Sequence, residues 1–417
     1  MNRREFLAGA AALAGLSASG ISETPSDVKI TRIRISTLTG RFPKFVAMNA
    51  YDRVPKGDTY THTLFRFETN SRHEGIAPGV WSDLHTAEYA AVVKPLIGAR
   101  LSELYTMENG KVTGRAPMFA ELLGKNRHLD YAFFDILGKL HNVPVWKLIG
   151  DNGKTQIPVY DGTVYFADVL HKDRGVEAVV DECHGSLDAG FRAVKIKLGR
   201  GSKWMPGKAG DERDVEVSLA ARKALGPDAQ LMADPNYGYA KRYDDALGLM
   251  RGVKPAKLLF MEEIFPESPE LYARLRTDLA ADNDPCKIAF GEHFTKTDSI
   301  DPYLKPQMLV DFAQPDVRSN GILDLVAIGR KCEAAGTTIT GHNWASQLGA
   351  VMTLHLSRAL PNYGPAENDR STCEVFDLES LKLRNGCATL PPGPGLGVRI
   401  RKAVYDRDMA PREIVVS

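Results

Sequence analysis

Three carboxylates recur at nearly equal intervals: Asp234, Glu262 and Glu292 are 28 and 30 residues apart. Each ends a short apolar run, Gln230–Asp234, Leu258–Glu262 and Lys287–Glu292. If each run is a strand and each interval holds a helix, the side chains emerge from adjacent strands at one end of a sheet. Converging carboxylates repel one another unless a cation joins them. An all-oxygen set with open positions suits a hard divalent ion, so Mg2+ is the expected cofactor. One such carboxylate alone reads better as a cap or a surface ion pair; the repeated spacing carries the metal reading.

A second pattern lies one run earlier. Lys195 and Lys197 are two apart within Ala193–Lys197. On a strand they share a face, so both ammonium groups point into the same space. Two close cations disfavour each other's charged form, which lowers at least one pKa and suits a lysine general base. A histidine, His342, ends the later run Thr338–His342.

Positioning these groups takes a repeating scaffold. Beyond Gly150, apolar runs begin at Ile157, Ala193, Gln230, Leu258, Lys287, Met308 and Thr338. Helical patterns such as Val215–Leu225 and Ile322–Ala335 lie between them. Seven or eight such units predict a closed β/α barrel. An open doubly wound sheet is the alternative, but no GxGxxG opens the first helix. Barrel chemistry sits at the carboxyl ends of the strands, where the charged residues fall.

The preceding region, residues 28–150, has a different rhythm. Val28–Ile35 and Thr63–Phe67 alternate with period two, and two to three helices are expected between Thr86 and Leu148. The strongest is His128–Leu140, stopped by Pro144. This predicts a small α+β domain at 28–150 followed by a barrel at 151–375.

The chain has 417 residues, 43% of them hydrophobic and 25% charged, which is ordinary globular composition. Its net charge of +1 gives no electrostatic case for nucleic acid or an anionic membrane as partner. The five cysteines include no CxxC and imply no zinc ribbon. Arg3 and Arg4 precede a short Ala/Gly/Leu run, the pattern of a twin-arginine export signal over residues 1–25. An exported, periplasmic location follows if that signal works, and a cytoplasmic one if it does not. No later stretch reaches 18 consecutive apolar residues.

Taken in order, these positions resemble the enolase superfamily, and within it the mandelate racemase-like group. The stretches Asp130–Lys139 and Pro144–Gly150 are similar to that family's signature before the barrel. Lys195-Ile196-Lys197 matches its K-x-K strand. Asp234-Pro235-Asn236, Met261-Glu262-Glu263 and Gly291-Glu292 match its metal-ligand strands. Gln314-Pro315-Asp316 and Gly341-His342 match its Asp–His dyad, and Pro365-Ala366-Glu367 its last-strand glutamate.

The resemblance implies a modified TIM barrel of (β/α)7β form with residues 28–150 as an α+β capping domain and a segment at 376–417 that packs back on the cap. It also implies roles. Asp234, Glu262 and Glu292 would hold Mg2+. Lys197 would be the base on one face of the substrate, and Lys195 would neutralise the substrate carboxylate and depress the Lys197 pKa. His342, oriented by Asp316, would act on the opposite face. Glu367 would hydrogen-bond the substrate carboxylate as a neutral acid. Asn236, Lys44, Trp81 and Arg318 are further candidates for substrate contact, with Gly40–Tyr51 and Gly75–Asp83 as the covering loops.

There are departures from the family pattern. Ile264-Phe265 separate Glu263 from Pro266, Gly321-Ile322 stands for a glycine pair, and Gly199–Asp214 reads as an insertion. Asp316-Val317-Arg318 holds no lysine, which favours a lysine/histidine pairing over the lysine/lysine pairing of the muconate lactonizing branch. The implied reaction is α-proton abstraction from a small-molecule carboxylate, first as acid-sugar dehydration and otherwise as racemisation or epimerisation. An inactive carboxylate-binding protein is the rival class. A homo-oligomer, dimer to octamer, is expected.

Overall fold

In the computed structural model, the residues described are 27–80, 86–124, 126–205 and 207–417. The amino-terminal twin-arginine segment and Trp81 lie outside them.

The first domain is built on an antiparallel meander. Strand β1 (Ile30–Val46) pairs with β2 (Gly57–Thr69), which pairs with β3 (Glu74–Pro78). Ile33, Ile35 and Leu38 are buried on β1, and Leu64, Phe65 and Phe67 on β2, so an apolar face is available for packing. Helix α1 (Asp130–Leu140) covers that face, with Phe133 against Phe67 at a ring-centroid distance of 5.1 Å. Both proposed covering loops begin as strand: Gly40–Val46 belongs to β1 and Gly75–Pro78 to β3, while residues 81–83 lie outside the described residues. The period-two pattern of β1 runs on past Gly40, and the connection to β2 is Ala47–Lys56. Between Thr86 and Ile149 there are also more elements than expected, including a hairpin of Tyr105–Glu108 with Lys111–Arg115.

The second domain is a closed barrel of eight parallel strands. They are β4 (Ile157–Val164), β5 (Ala193–Lys197), β6 (Gln230–Asp234), β7 (Phe260–Glu262), β8 (Lys287–Phe290), β9 (Phe312–Ala313), β10 (Thr338–Ile339) and β11 (Ala366–Asn368). Glu367 of β11 pairs with Tyr160 of β4, and a bridge from Ile339 to Tyr363 completes the ring. A helix follows each of the first seven strands, and the next helix after β11, Lys402–Asp408, comes only after the short strands that follow the barrel. The barrel helices are α2 (Val176–Asp188), α3 (Lys208–Leu225), α4 (Tyr243–Val253), α5 (Pro269–Ala281), the single-turn α6 (Asp301–Leu304), α7 (Ile322–Ala335) and α8 (Gln347–Ala359). The architecture is therefore (β/α)7β. Helix α3 starts seven residues before the apolar periodicity does, so the insertion after β5 contributes its first turns. The final strand, β12 (Ile414–Val416), returns to the first domain and pairs with β1, Val416 opposite Ile33.

Side-chain alternation stacks the barrel interior. Tyr160, Ala193, Met232, Phe260, Ala289 and Phe312 form one apolar cluster filling the barrel. Two residues further along the same strands come Lys195, Asp234, Glu262, Gly291 and Gln314. The charged layer thus sits directly above an apolar plug, facing the carboxyl-end mouth.

Candidate active site

Ladder register sets the heights of the functional groups. Lys197 pairs with Asp234, and Ala233 with Met261, so Lys197, Asp234 and Glu262 stand level. Glu262 is level with Ala289, which leaves Glu292 three residues beyond that rung and two beyond the end of β8. By alternation Gly291 would face inward and Glu292 outward. Gly291 has φ 120°, and a Cβ there would lie 2.7 Å from the Phe294 ring. The glycine turn therefore redirects the chain and brings Glu292 to the mouth.

Lys195 is fully buried, with its Nζ 2.7 Å from Glu262 Oε2 and 2.8 Å from Glu367 Oε1. Lys197 Nζ donates to Asp234 Oδ2 and lies 5.3 Å from the Tyr165 ring centroid. Burial opposes the charge on each lysine. The carboxylates outweigh it, Glu262 and Glu367 for Lys195 and Asp234 for Lys197, so both pKa values are raised. The expected depression of Lys197 by Lys195 is present but is overridden by Asp234. Burial, with Asp234 and Glu367 nearby, pushes Glu262 up to about 7 in spite of Lys195. Glu367 is shifted down, burial being outweighed by Lys195 and His342. That direction runs against the neutral acid that the family resemblance implies.

Opposite the lysines, His342 Nδ1 is 2.8 Å from Asp316 Oδ2. Asp316 is itself fixed, because its Oδ1 accepts the backbone N–H of Arg318 and of Ser319. Burial lowers the His342 pKa, but Glu292 and Asp316 raise it to about 10 overall. Lys197, His342, Asp316, Asn236 and Glu292 line one cavity of about 270 Å3 with Asn49, Tyr51, Lys56, Tyr165, His293, Ser319 and Trp344. A larger cleft of about 520 Å3, between Thr37–Arg41 and Thr372–Val375, holds none of the strand-end groups.

The oxygens left over test whether a cation fits. Glu262 Oε1, Gln314 Oε1 and Asn236 Oδ1 are buried acceptors that receive no hydrogen bond. Gln314 Nε2 donates to Glu262 Oε2 at 2.8 Å, which leaves its oxygen as the orphan. Acceptors without donors, beside a carboxylate that burial forces towards neutrality, match a hard cation. Among the described residues, the group of three with ligand atoms within 4.8 Å of one another is Glu263, Glu292 and His293. Asp234 and Glu262 are instead spanned by the lysine pair.

Two candidates for substrate contact lie elsewhere. Lys44 is bound to Glu182 of α2 at 2.6 Å and does not line the cavity. Arg318 is 1% exposed and also lies off the cavity. Its charge acts on His128 and His62 of the first domain, and with burial holds each at about 3. The groups to which sequence reasoning gave no role of their own are Gln314, Tyr51, Lys56, Tyr165, Trp344 and Glu263. Gln314 alone had a usable signal, being two residues before Asp316 and inward by the same alternation as Phe312.

Residues 178–404 match the Enolase C-terminal domain-like family. The chain belongs to that family. A D-galactarolactone cycloisomerase of Agrobacterium fabrum is 30% identical over 66% of this chain and 71% of its own length. An arabinonate dehydratase of Saccharolobus solfataricus is 27% identical over 67% of this chain and 70% of its own. A mandelate racemase/muconate lactonizing protein from a Geobacillus species, solved with magnesium and tartrate, superposes with a TM-score of 0.79 at 25% identity. That superposition covers 92% of this chain and 96% of the other. Several further relatives of this enolase-like chain are named acid-sugar dehydratases, among them D-gluconate/D-galactonate dehydratase of Picrophilus torridus.

Proposed function

We propose that this protein is an Mg2+-dependent hydro-lyase that dehydrates an acid sugar, an aldonate or aldarate, to a 2-keto-3-deoxy acid. The observation that carries the reading is one cavity holding Lys197 on one strand end and the Asp316-supported His342 on another. Asp234, Glu262 and Glu292 would hold the cation, which supplies positive charge to a substrate carboxylate as the α-proton leaves. Lys195 adds a second, permanently placed positive charge at the same spot.

Lys197 takes the α-proton. It stays charged while Asp234 is its partner, so catalysis requires that carboxylate to be engaged elsewhere and leaves Lys195 as the group that lowers its pKa. His342 carries a proton in its resting state and delivers it to the β-hydroxyl, which departs as water when the C–O bond breaks. The resulting enol takes up a proton at C3 and becomes the 2-keto acid. Trp344 forms an apolar wall, stacked on Phe42 at 4.8 Å and packed against Tyr165 at 5.0 Å, and shields the reaction from bulk water.

The test is a panel of mono- and diacid sugars with Mg2+, with 2-keto acid formation as readout. Turnover that survives excess EDTA would sink the metal assignment. A second reading, isomerisation with proton return, is favoured by the similarity to a cycloisomerase. It predicts α-deuterium incorporation from D2O with no keto acid formed. A homo-oligomer of two to eight copies is part of the proposal, checked by light scattering. Export through the twin-arginine segment is part of it too, checked by cell fractionation with and without Arg3 and Arg4.

A further inference from the structure

The turn after β7 carries two adjacent glutamates with different fates. Glu262 points into the barrel. Glu263, next in sequence, is fully buried and has φ 44°, a left-handed conformation costing a β-carbon residue about 1 kcal/mol or more. Its carboxylate takes hydrogen bonds from two phenols: Tyr237 OH donates to Oε1 at 2.9 Å, and Tyr51 OH donates to Oε2. The Glu263 carbonyl also accepts from Tyr237 N at 2.8 Å, which ties the turns after β6 and β7 together.

Tyr51 is the member of this cluster that comes from the first domain. It lies in the connection between β1 and β2, and that connection is docked on the barrel at several points. Trp204 Nε1, in the insertion after β5, donates to Asn49 O at 2.7 Å, and Lys203 Nζ donates to Tyr51 O. Phe166 N donates to Met48 O at 3.0 Å. Ala50 sits so close to Gly199 that a Cβ there would be 3.0 Å from the Ala50 methyl group. The insertion thus serves as the platform on which this segment rests.

We propose that Tyr51 is a positioning residue for the cation-binding carboxylates, acting through Glu263. Its hydroxyl holds the strained turn that sets Glu262, so the first domain helps to build the metal site from outside the barrel. The proposal rests on the reading of Asp234, Glu262 and Glu292 as the cation's ligands.

The experiment is a double-mutant cycle on the full-length protein: wild type, Tyr51→Phe, Glu263→Gln and the double variant. Mg2+ affinity is measured by calorimetry, and tryptic cleavage after Arg53 and Lys56 is followed in parallel. Tyr51→Phe removes one oxygen, keeps the ring against Tyr237 and should weaken Mg2+ binding roughly tenfold, the scale of one charge-assisted hydrogen bond. It should also speed cleavage at those two bonds. The double variant should lose less than the sum of the two single losses, because the Tyr51–Glu263 contact is common to both, while Glu263 also holds Tyr237 and Tyr51 lies 3.2 Å from His293 Nε2. A merely loosened segment would speed cleavage and leave Mg2+ affinity alone, and that result would overturn the proposal. So would additive losses in the double variant. A wild-type protein that binds no Mg2+ would overturn the metal reading and this proposal together. Wild-type binding that Tyr51→Phe leaves unchanged would overturn this proposal alone.

Discussion

His342 holds Asp316 with one ring nitrogen, at 2.8 Å, and faces Glu292 with the other, at 3.6 Å. One imidazole therefore joins a fixed carboxylate behind it to a carboxylate at the cavity mouth. With both nitrogens facing carboxylates, the charged imidazolium is favoured, and that is the form that a proton donor to a leaving hydroxyl requires.

Replacing that donor should separate the two halves of the reaction. His342→Asn should lower dehydration by a factor on the order of 100 or more. Lys197 should continue to exchange the substrate α-proton with D2O, followed by NMR. Loss of exchange with fold and Mg2+ binding intact would show that the two roles are assigned to the wrong groups.

The same ion pair should appear in the pH dependence of stability. Burial raises the Asp316 pKa, but His342, followed by Arg318 and the Ser319 N–H, brings it down to about 2. This contribution is complete above the ordinary 3.8 and is lost as pH falls through about 2. His342 is raised from 6.5 to about 10, so its contribution is complete below 6.5 and is lost as pH rises through about 10. Asp316→Asn should therefore cost about 3 kcal/mol between these limits and progressively less outside them. Urea unfolding of the metal-free protein at several pH values measures it. A pH-independent difference would argue against a charged pair.

Much of this arrangement was legible in the sequence because strand alternation is strict. Lys195 and Lys197 share a face for that reason, and Gln314 and Asp316 follow the same rule. Helix α7 was readable to the residue from its apolar period between Ile322 and Ala335. The misreadings arose where tertiary contacts decide. Glu292 looked level with Glu262 by spacing, whereas Gly291 lets it reach the mouth from two residues beyond the end of β8. Lys44 looked like a substrate contact because its partner Glu182 lies 138 positions away, on a helix of the other domain. Arg318 looked accessible because nothing local reveals that the first domain closes over it. Glu263 reads as a duplicate of Glu262 until its backbone angle is known.

The correction for Lys44 makes a prediction of its own. Lys44→Ala should leave KM and kcat unchanged within about twofold, because the side chain does not line the cavity. It should lower the unfolding midpoint instead, since Glu182 is mostly buried and loses its partner. Steady-state kinetics beside thermal unfolding distinguish the two. A large rise in KM would return Lys44 to the substrate site.

The lysine at the centre of the carboxylate row should matter most for the metal-free protein. Lys195 bridges Glu262 and Glu367 with no exposure to solvent. Lys195→Met would leave both carboxylates buried without a cation, a change that costs about 3–5 kcal/mol. Lys195→Arg keeps the charge but brings a planar fork into a space shaped for a compact ammonium, and should recover only part of the loss. Added Mg2+ should stabilise Lys195→Met by more than it stabilises the wild type, because the ion would supply charge that the lysine no longer gives. Denaturant titrations of the three proteins, with Mg2+ and with EDTA, measure these differences. Equal stability of wild type and Lys195→Met in EDTA would mean that the carboxylates around Lys195 are already protonated and that the row carries less charge than its geometry implies.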